Sequence, residues 1–543
     1  MNWNLLTEQI PQNEDELLDL ILDNREIKDH EKFLNPYSAY DLKLTDVGVA
    51  KTQIKKAKKI LETAVADQQD VLIFGDYDAD GICATSILWL FLQKMGLTAR
   101  PFIPDRQEHG YGITQEVLEE IFADKKPDVM ITVDNGIVAH KAVEYAQEQG
   151  VTVLVTDHHQ ADKKLPPAEA VVHSTEICGA AVAWLLAREI DQEKAKDLLD
   201  LAALATVSDQ MPLIGPNRSL LKDGLLALQT TQRPGLQALY QVAKVDPKMI
   251  NTYTVGFVIA PRINAAGRLE TGIVAVRLLC TQKLSAARQI ARHLNQVNAE
   301  RQDLTSKQLR LAYSYKDDWQ KEKLIFVFDN GFHEGIIGLV AGKLTERHHR
   351  PSIVMGIDGD VAKASVRSVK GIHITNLLRK AEDLMLSCGG HEMAAGFSVS
   401  LENLEQLKDK LMELADEVID DSLLEAELDI DCQLPAELIN QKTVAALTKL
   451  EPYGMGHHAP VFMAKNLQLV QFSAVGREKK HLRMQFKLPD SVETVNGIGW
   501  NLAYKMEDFE QDQEVDLVGN MEINHWNGND YLQFKLKDVK PSE

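Results

Sequence analysis

Carboxylates and imidazoles cluster directly behind three apolar runs of this chain. The run QDVLIFG (69–75) leads into GDYDADG, which supplies Asp76, Asp78 and Asp80. DVMITV (128–133) ends in Asp134, followed by Asn135 and Gly136, and VTVLVT (151–156) ends in Asp157, His158 and His159. A fourth acidic group, Asp209, follows the apolar segment LAALATVS. Ligands of an open parallel sheet gather at the carboxyl ends of its strands, so these groups are expected to converge on one crevice. Singly, each has a plain explanation. DxDxDG resembles a calcium loop, but Ile87 stands where an EF-hand needs its glutamate. An aspartate after a strand commonly caps a helix, and paired histidines commonly lie in a core or on a surface. Jointly, crowded carboxylates repel one another unless cations neutralise them. Oxygen and imidazole donors without thiolate suit Mn²⁺ or Mg²⁺ rather than structural zinc. The pattern predicts a site for two divalent cations.

The elements that position these residues have ample material. A chain of 543 residues, at roughly 150 per domain, is expected to hold three or four domains. With 45% hydrophobic and 26% charged residues it is globular, and 32 Gly with 18 Pro exclude a collagen-like or low-complexity chain. The net charge of −21 argues against a generally basic, histone-like nucleic-acid binder while leaving room for a local basic groove. Five scattered cysteines without a CxxC read as reduced thiols, and the acidic start MNWNLLTEQI lacks the basic, apolar pattern of a signal peptide. No apolar run of about 18 residues is present, so a cytoplasmic protein is expected.

Residues 1–45 read as a helical or irregular leader. From 46 to 262, apolar strands alternate with helices such as GICATSILWLFLQKMG and AHKAVEYAQEQG, predicting an α/β domain with a doubly wound parallel sheet. Residues 263–320 show no strand pattern; LSAARQIARHLNQVNAERQDLTSKQLRLAYSY predicts one long connecting helix or two. Alternation resumes over 321–420 as a smaller α/β domain, with KLIFVF and PSIVMG as strands. Over 421–543 short alternating strands and the Asn-Gly hairpin signal in HWNGNDYLQF predict an OB-type β-barrel.

The ordered acids and histidines resemble the DHH phosphoesterase superfamily. Within it, GDYDADG, PDRQEHGYG, TVDNGI, TDHH, TVSDQMPL, RPGLQAL and APRINAAGRL are similar to the bacterial RecJ single-strand-specific exonucleases. FHEGIIGLVAGKL, KASVRS and CGGHEMAAGF resemble the DHH-associated domain, and LEPYGMGHHAPVF resembles the start of the RecJ OB domain. The resemblance covers roughly residues 30 to 540. It departs at Phe332 (usually Trp), Ala364 (usually Gly), His173-Ser174 (usually Asn-Pro) and Gly456-His457-His458 (usually Gly-Asn-Pro).

The resemblance implies a 5′→3′ exonuclease on single-stranded DNA, acting in repair and recombination. One cation would be held by the aspartates of Asp76-Tyr77-Asp78 and by Asp134. The other would be held by Asp78 or Asp80, Asp134, His158 and Asp209, with Asp134 bridging; which two of the three GDYDADG aspartates ligate directly stays open. His159 would contact a phosphate oxygen or orient Asp157. Arg106, Arg268, Arg367 and Ser365 would grip the terminal 5′ phosphate, with Gly389, Gly390 and His391 offering close backbone approach. In REKKHLRMQFK, Lys479, Lys480 and Arg483 beside Phe472 and Phe486 would form a single-strand platform. Implied partners are a single-strand-binding protein and a helicase, and the implied state is a monomer. The alternatives are a DHH nanoRNase or phosphoadenosine phosphatase, disfavoured by the appended barrel, and a non-catalytic Cdc45-type scaffold, disfavoured because every expected acid is present.

Overall fold

The structure, a computed structural model, describes residues 2–106, 108–110, 112–316, 319–489, 494–526 and 528–542, with the Trp526 side chain excepted. Gln107 and Tyr111 of the PDRQEHGYG motif and Asn527 of the expected hairpin lie outside these residues. The chain folds into two compact units: Ser38–Met211 with Ser219–Ala426, and Met1–Tyr37 with Pro212–Arg218 and Glu427–Glu543.

In the first unit, β1 (Val71–Phe74), β2 (Arg100–Phe102), β3 (Val129–Val133), β4 (Thr152–Asp157) and β5 (Ala170–His173) form a parallel sheet in the order β2-β1-β3-β4-β5. β1 and β3 are buried at every position because helices cover both faces. One face packs Leu72, Phe74, Met130, Val153 and Val155 against Val117, Leu118 and Val143 of the helices Gln115–Lys125 and His140–Glu148. The other carries Ala79–Lys94, apolar all round because helices Gly179–Ile190, Leu199–Ser208 and Ile273–Cys280 also surround it. The connecting segment is a single helix, Leu284–Tyr315, of 32 residues. A second sheet follows, of β6 (Ile325–Asp329), β7 (Ser352–Asp358), β8 (Val361–Arg367), β9 (Ser387–Gly390) and β10 (Ala394–Ser400). Its order is β9-β10-β8-β7-β6, with only β6 and β7 parallel.

The second unit is built on a closed barrel. β11 (Cys432–Gln433) adds in parallel to β12 (Phe462–Val475), and β13 (His481–Lys487), β14 (Thr494–Gly499), β15 (Glu514–Trp526) and β16 (Asn529–Pro541) complete it. The order β12-β13-β14-β16-β15 closes by pairing β15 with β12, and only β14–β16 is parallel within the ring. This is the five-stranded Greek-key barrel of the OB type. The β15–β16 hairpin pairs Trp526 with Asn529, and Gly528 takes φ +80°. The N-terminal segment is no separate leader. Asn2–Leu5 pairs in parallel with Glu427–Ile430, and helix Glu14–Asn24 buries Leu17, Leu18 and Ile21 in the barrel unit's core. A four-residue strand whose partner lies more than 400 positions away leaves no local signature.

Candidate metal centre and anion pocket

The β1 loop turns directly into helix Ala79–Lys94, and Asp78 caps it, its Oδ1 accepting from Asp80 N at 2.9 Å and Gly81 N at 3.1 Å. Asp80 is buried in the first turn of that helix, where its two oxygens accept from Gly179 N and Ala180 N, both at 2.7 Å, and so pin the start of helix Gly179–Ile190. Asp134 leaves β3 with φ +59°, and a Cβ on Gly179 would stand 2.7 Å from the Asp134 Cβ. Only glycine lets that helix approach so closely. His158 Nε2 lies 3.1 Å from Asp134 Oδ1, 3.6 Å from Asp80 Oδ2 and 3.7 Å from Asp209 Oδ2. Three sets of potential ligand atoms result, each within 4.8 Å: Asp76, Asp78 and Asp134; Asp80, His158 and Asp209; Asp134, His158 and His159.

This cluster is unsatisfied without cations. Asp76 Oδ1 and Asp134 Oδ1 are buried with no hydrogen-bond donor. Burial and then the neighbouring Asp78 push Asp76 up to about 8; burial and then Asp80 push Asp209 up to about 9 and Asp134 well above the carboxylate range. Burial lowers His158, keeping it a neutral donor for a metal. The donor set fits hard divalent cations, as Mn²⁺ and Mg²⁺ are.

Asp157 has a different position. Its Oδ1 accepts from His158 N at 2.7 Å and His159 N at 3.1 Å and bonds His159 Nδ1 at 2.8 Å, while Oδ2 accepts from Ile137 N at 2.9 Å. Both oxygens are therefore engaged in shaping the loop. Burial opposes the His159 imidazolium, but the Asp157 hydrogen bond and charge outweigh it and raise His159 to about 9. His173, at the departure from Asn-Pro, donates from Nε2 to His159 O at 2.6 Å and braces the same loop.

Beside the acids lies a pocket of guanidinium groups. Arg106 stacks 5.4 Å over the Tyr77 ring. Arg268 donates to Gly335 O at 3.2 Å, and Arg367 to Ser365 Oγ at 3.2 Å and Val366 O at 2.8 Å. Burial first, then Arg106, Arg301 and Arg367, lower Arg268 to about 10, while Asp78 opposes the drop. Cations so arranged await an anion. Gly389, Gly390 and His391 form the exposed end of the β9–β10 hairpin, where Gly390 pairs with Ala395, one residue along from the Ala394–Arg367 pair. Ala364 faces the core of its sheet, and Phe332 lies in a neighbouring core.

In the barrel, Lys479, Lys480 and Arg483 are exposed, and Arg483 lines a groove with Gln471, Ser473, Gln485 and Asn496. Phe486 does not join them. Alternation along β13 sends Leu482, Met484 and Phe486 into the core, and Phe472 packs half-buried against the same core. The exposed aromatics near this strand are Trp500, which meets His481 edge-on at 4.6 Å, and Tyr504. Sequence reasoning also missed Asn264, whose Oδ1 accepts from Ala79 N at 2.7 Å, and Gly267, whose Cβ would lie 2.1 Å from Tyr77 O. Both sit in the APRINAAGRL motif beside Arg268.

Carboxylates at the ends of parallel strands, an aspartate-rich helix start and an Asp-His-His loop define a metal-dependent phosphoesterase of the DHH class. The chain matches the DHH family N-terminal domain over residues 70–206, the DHHA1 domain over 321–417 and the RecJ OB domain over 430–538. It is 34% identical over 504 residues to the single-stranded-DNA-specific exonuclease RecJ of Bacillus subtilis, covering 90% of this chain and 64% of that protein. To RecJ of Salmonella typhimurium it is 32% identical over 524 residues, covering 90% of each. The crystal structure of Thermus thermophilus RecJ in complex with Mn²⁺ aligns with a TM-score of 0.85 and 30% identity, covering 100% of this chain and 80% of that one. The chain belongs to the RecJ family of single-stranded-DNA-specific exonucleases, metal-dependent enzymes. No helix among the described residues is long and apolar enough to cross a membrane.

Proposed function

We propose that this protein removes nucleotides from the 5′ end of single-stranded DNA, in repair and recombination. The observation that carries this reading is the anion pocket of Arg106, Arg268 and Arg367 bordering the acid cluster at Tyr77 and Asp78. A terminal 5′ phosphate held there sets the next phosphodiester against the carboxylates. Cleavage of the P–O3′ bond frees a mononucleotide and leaves a new 5′ phosphate on the shortened strand, which can refill the pocket.

Asp76 and Asp134, each with an unpartnered buried oxygen, and Asp78 would hold one divalent cation; Asp134, His158 and Asp209 would hold the other. Asp80, already committed to two backbone donors, positions its neighbours. When bound, the cations neutralise charge on the attacked phosphate and lower the pKa of the attacking water. His159, its Nδ1 proton held by Asp157, offers the ring to a phosphate oxygen. Gly389, Gly390 and His391 end the hairpin whose other strand, β10, pairs with the Arg367 strand, and Lys479, Lys480 and Arg483 guide the substrate's distal part. The chain works as a catalytic domain (46–262), a connector (263–320), a substrate-binding domain (321–420) and an OB domain (421–543). Work as a cytoplasmic monomer with a single-strand-binding protein and a helicase rests on the family resemblance. The test is digestion of single strands labelled at either end, with Mn²⁺. A 5′ label should appear at once as mononucleotide and a 3′ label as a shrinking ladder; the reverse order would overturn the polarity.

A further inference from the structure

One segment borders the candidate centre along its whole length. It begins at a π-helical turn, Thr254–Ile259, runs through Ala260–Asn264 and ends in Ala266–Leu269. At its start, a Cβ on Gly256 would stand 3.5 Å from Val207 Cγ1, two residues before Asp209. At its end, Asn264 accepts from Ala79 N, Gly267 lies against Tyr77 O, and Arg268 enters the anion pocket. Isolated π-helical turns are rare and frequent at functional sites.

Two features of this segment have no part in the chemistry described above. Tyr253 and Phe257 are 63% and 72% exposed, yet their rings stack on each other at 4.9 Å and 27°. Two large aromatic faces one turn apart, left in water, have no role in a core. Between them and Arg268 stands Arg262, which donates from Nε to Asn295 Oδ1 at 3.0 Å on the helix Leu284–Tyr315. Further along that helix Arg301 donates to Asn298 Oδ1 at 3.1 Å. Burial lowers Arg262, and burial and then Arg262 lower Arg301, so this stretch also favours an anionic occupant. Exposed aromatic faces on the same segment as guanidinium groups are the combination that holds single-stranded nucleic acid, through base stacking and phosphate contact.

We propose that the Tyr253–Phe257 pair is a stacking platform for bases of the substrate strand upstream of the gripped end, with Arg262 and Arg301 tracking the intervening phosphates. This rests on the 5′-end reading above. Eleven residues separate Phe257 from Arg268, at most about 16 Å at the α-helical 1.5 Å per residue, and less because the segment opens in a π-helical turn and breaks at Ala265. That spans at most about five nucleotides at the 3.4 Å stacked spacing, and fewer on a stretched strand. The platform therefore sets a length preference: strands of about six nucleotides or more reach it, and strands of roughly two do not.

The experiment compares full-length wild-type protein with Tyr253→Ala/Phe257→Ala on 5′-phosphorylated oligothymidylates of graded length, with Mn²⁺. On strands of about 12 nucleotides the variant's KM should rise about tenfold or more, with kcat little changed. On strands of roughly two nucleotides the two proteins should match. Tyr253→Trp/Phe257→Trp should restore wild-type KM, because it keeps the faces and changes their identity. Equal KM at every length, with wild-type protein active, would overturn the platform and assign the pair to a protein partner. Wild-type protein that attacks from the 3′ end would overturn the polarity reading instead, so the two failures are distinguishable. Both side chains are exposed, so an unchanged melting temperature is expected of each variant; a loss confined to a melting shift would count against the proposal.

Discussion

Arg268 carries an electrostatic burden that an end phosphate should relieve. Its pKa falls to about 10, through burial first and then through Arg106, Arg301 and Arg367. At 1.36 kcal/mol per unit this is a cost of about 3 kcal/mol, an upper figure because solvent screens part of it. A phosphate held in the pocket relieves that cost, which favours a 5′-phosphoryl over a 5′-hydroxyl end in kcat/KM. The expected preference is about ten- to a hundredfold, in line with one or two charge-assisted hydrogen bonds. Arg268→Met keeps the bulk and removes the charge. It should reduce the preference to within about threefold, while the rise in Tm caused by Mn²⁺ stays as in wild type. Its Tm in EDTA should not fall far, because the deleted cation is repelled by its neighbours. Matched kinetics on the two kinds of end would be measured side by side. A variant that keeps the full preference would refute the assignment of Arg268 to the terminal phosphate.

Other expectations follow from the same geometry. In EDTA, Asp76 at about 8 and Asp209 at about 9 bind protons in the folded state that the unfolded chain has released, so stability should fall as pH rises from about 4 to 8. Asp134→Asn should raise the melting temperature in EDTA, erase the gain from Mn²⁺ and abolish hydrolysis; an unaltered Mn²⁺ gain in calorimetry would count against the cluster. His457, buried with Nδ1 2.6 Å from the Arg25 guanidinium and Nε2 donating to Leu450 O, is depressed from 6.5 to about 3. The unfolded chain alone takes up that proton, so stability is lost as pH falls below about 6.5, by about 2 kcal/mol at pH 5. His457→Asn should remove this slope in denaturant titrations, and an equal loss in both proteins would exclude His457 as its source. Finally, Lys479→Glu with Arg483→Glu should weaken binding of long strands and flatten its salt dependence by about one unit per lost phosphate contact. An unchanged slope in anisotropy titrations would leave these residues as ordinary solvated charge.

The parallel sheet was legible because strands buried on both faces are written as unbroken apolar runs, VLIF and VMITV among them. The acids were legible because strand ends are where a sheet exposes chemistry, and Asp76, Asp78, Asp134, His158 and Asp209 do meet. What escaped were features set by distant parts of the chain. Gly179 must be small because Asp134 lies against it, a contact between positions 45 apart that no local pattern records. The strand Asn2–Leu5 depends on a partner at the other end of the sequence. Phe486 faces the core rather than the basic strand surface, as the alternation of Leu482, Met484 and Phe486 dictates; nearness in sequence to basic residues does not outweigh that parity.

Asp134, which falls in two sets of potential ligand atoms at the strand ends, would be shared between two cations. Crystals of the protein soaked in Mn²⁺ and measured at the manganese absorption edge test this directly. Two anomalous peaks about 3.5–4 Å apart, both within bonding distance of Asp134, are expected. A single peak, or two that share no carboxylate, would contradict it.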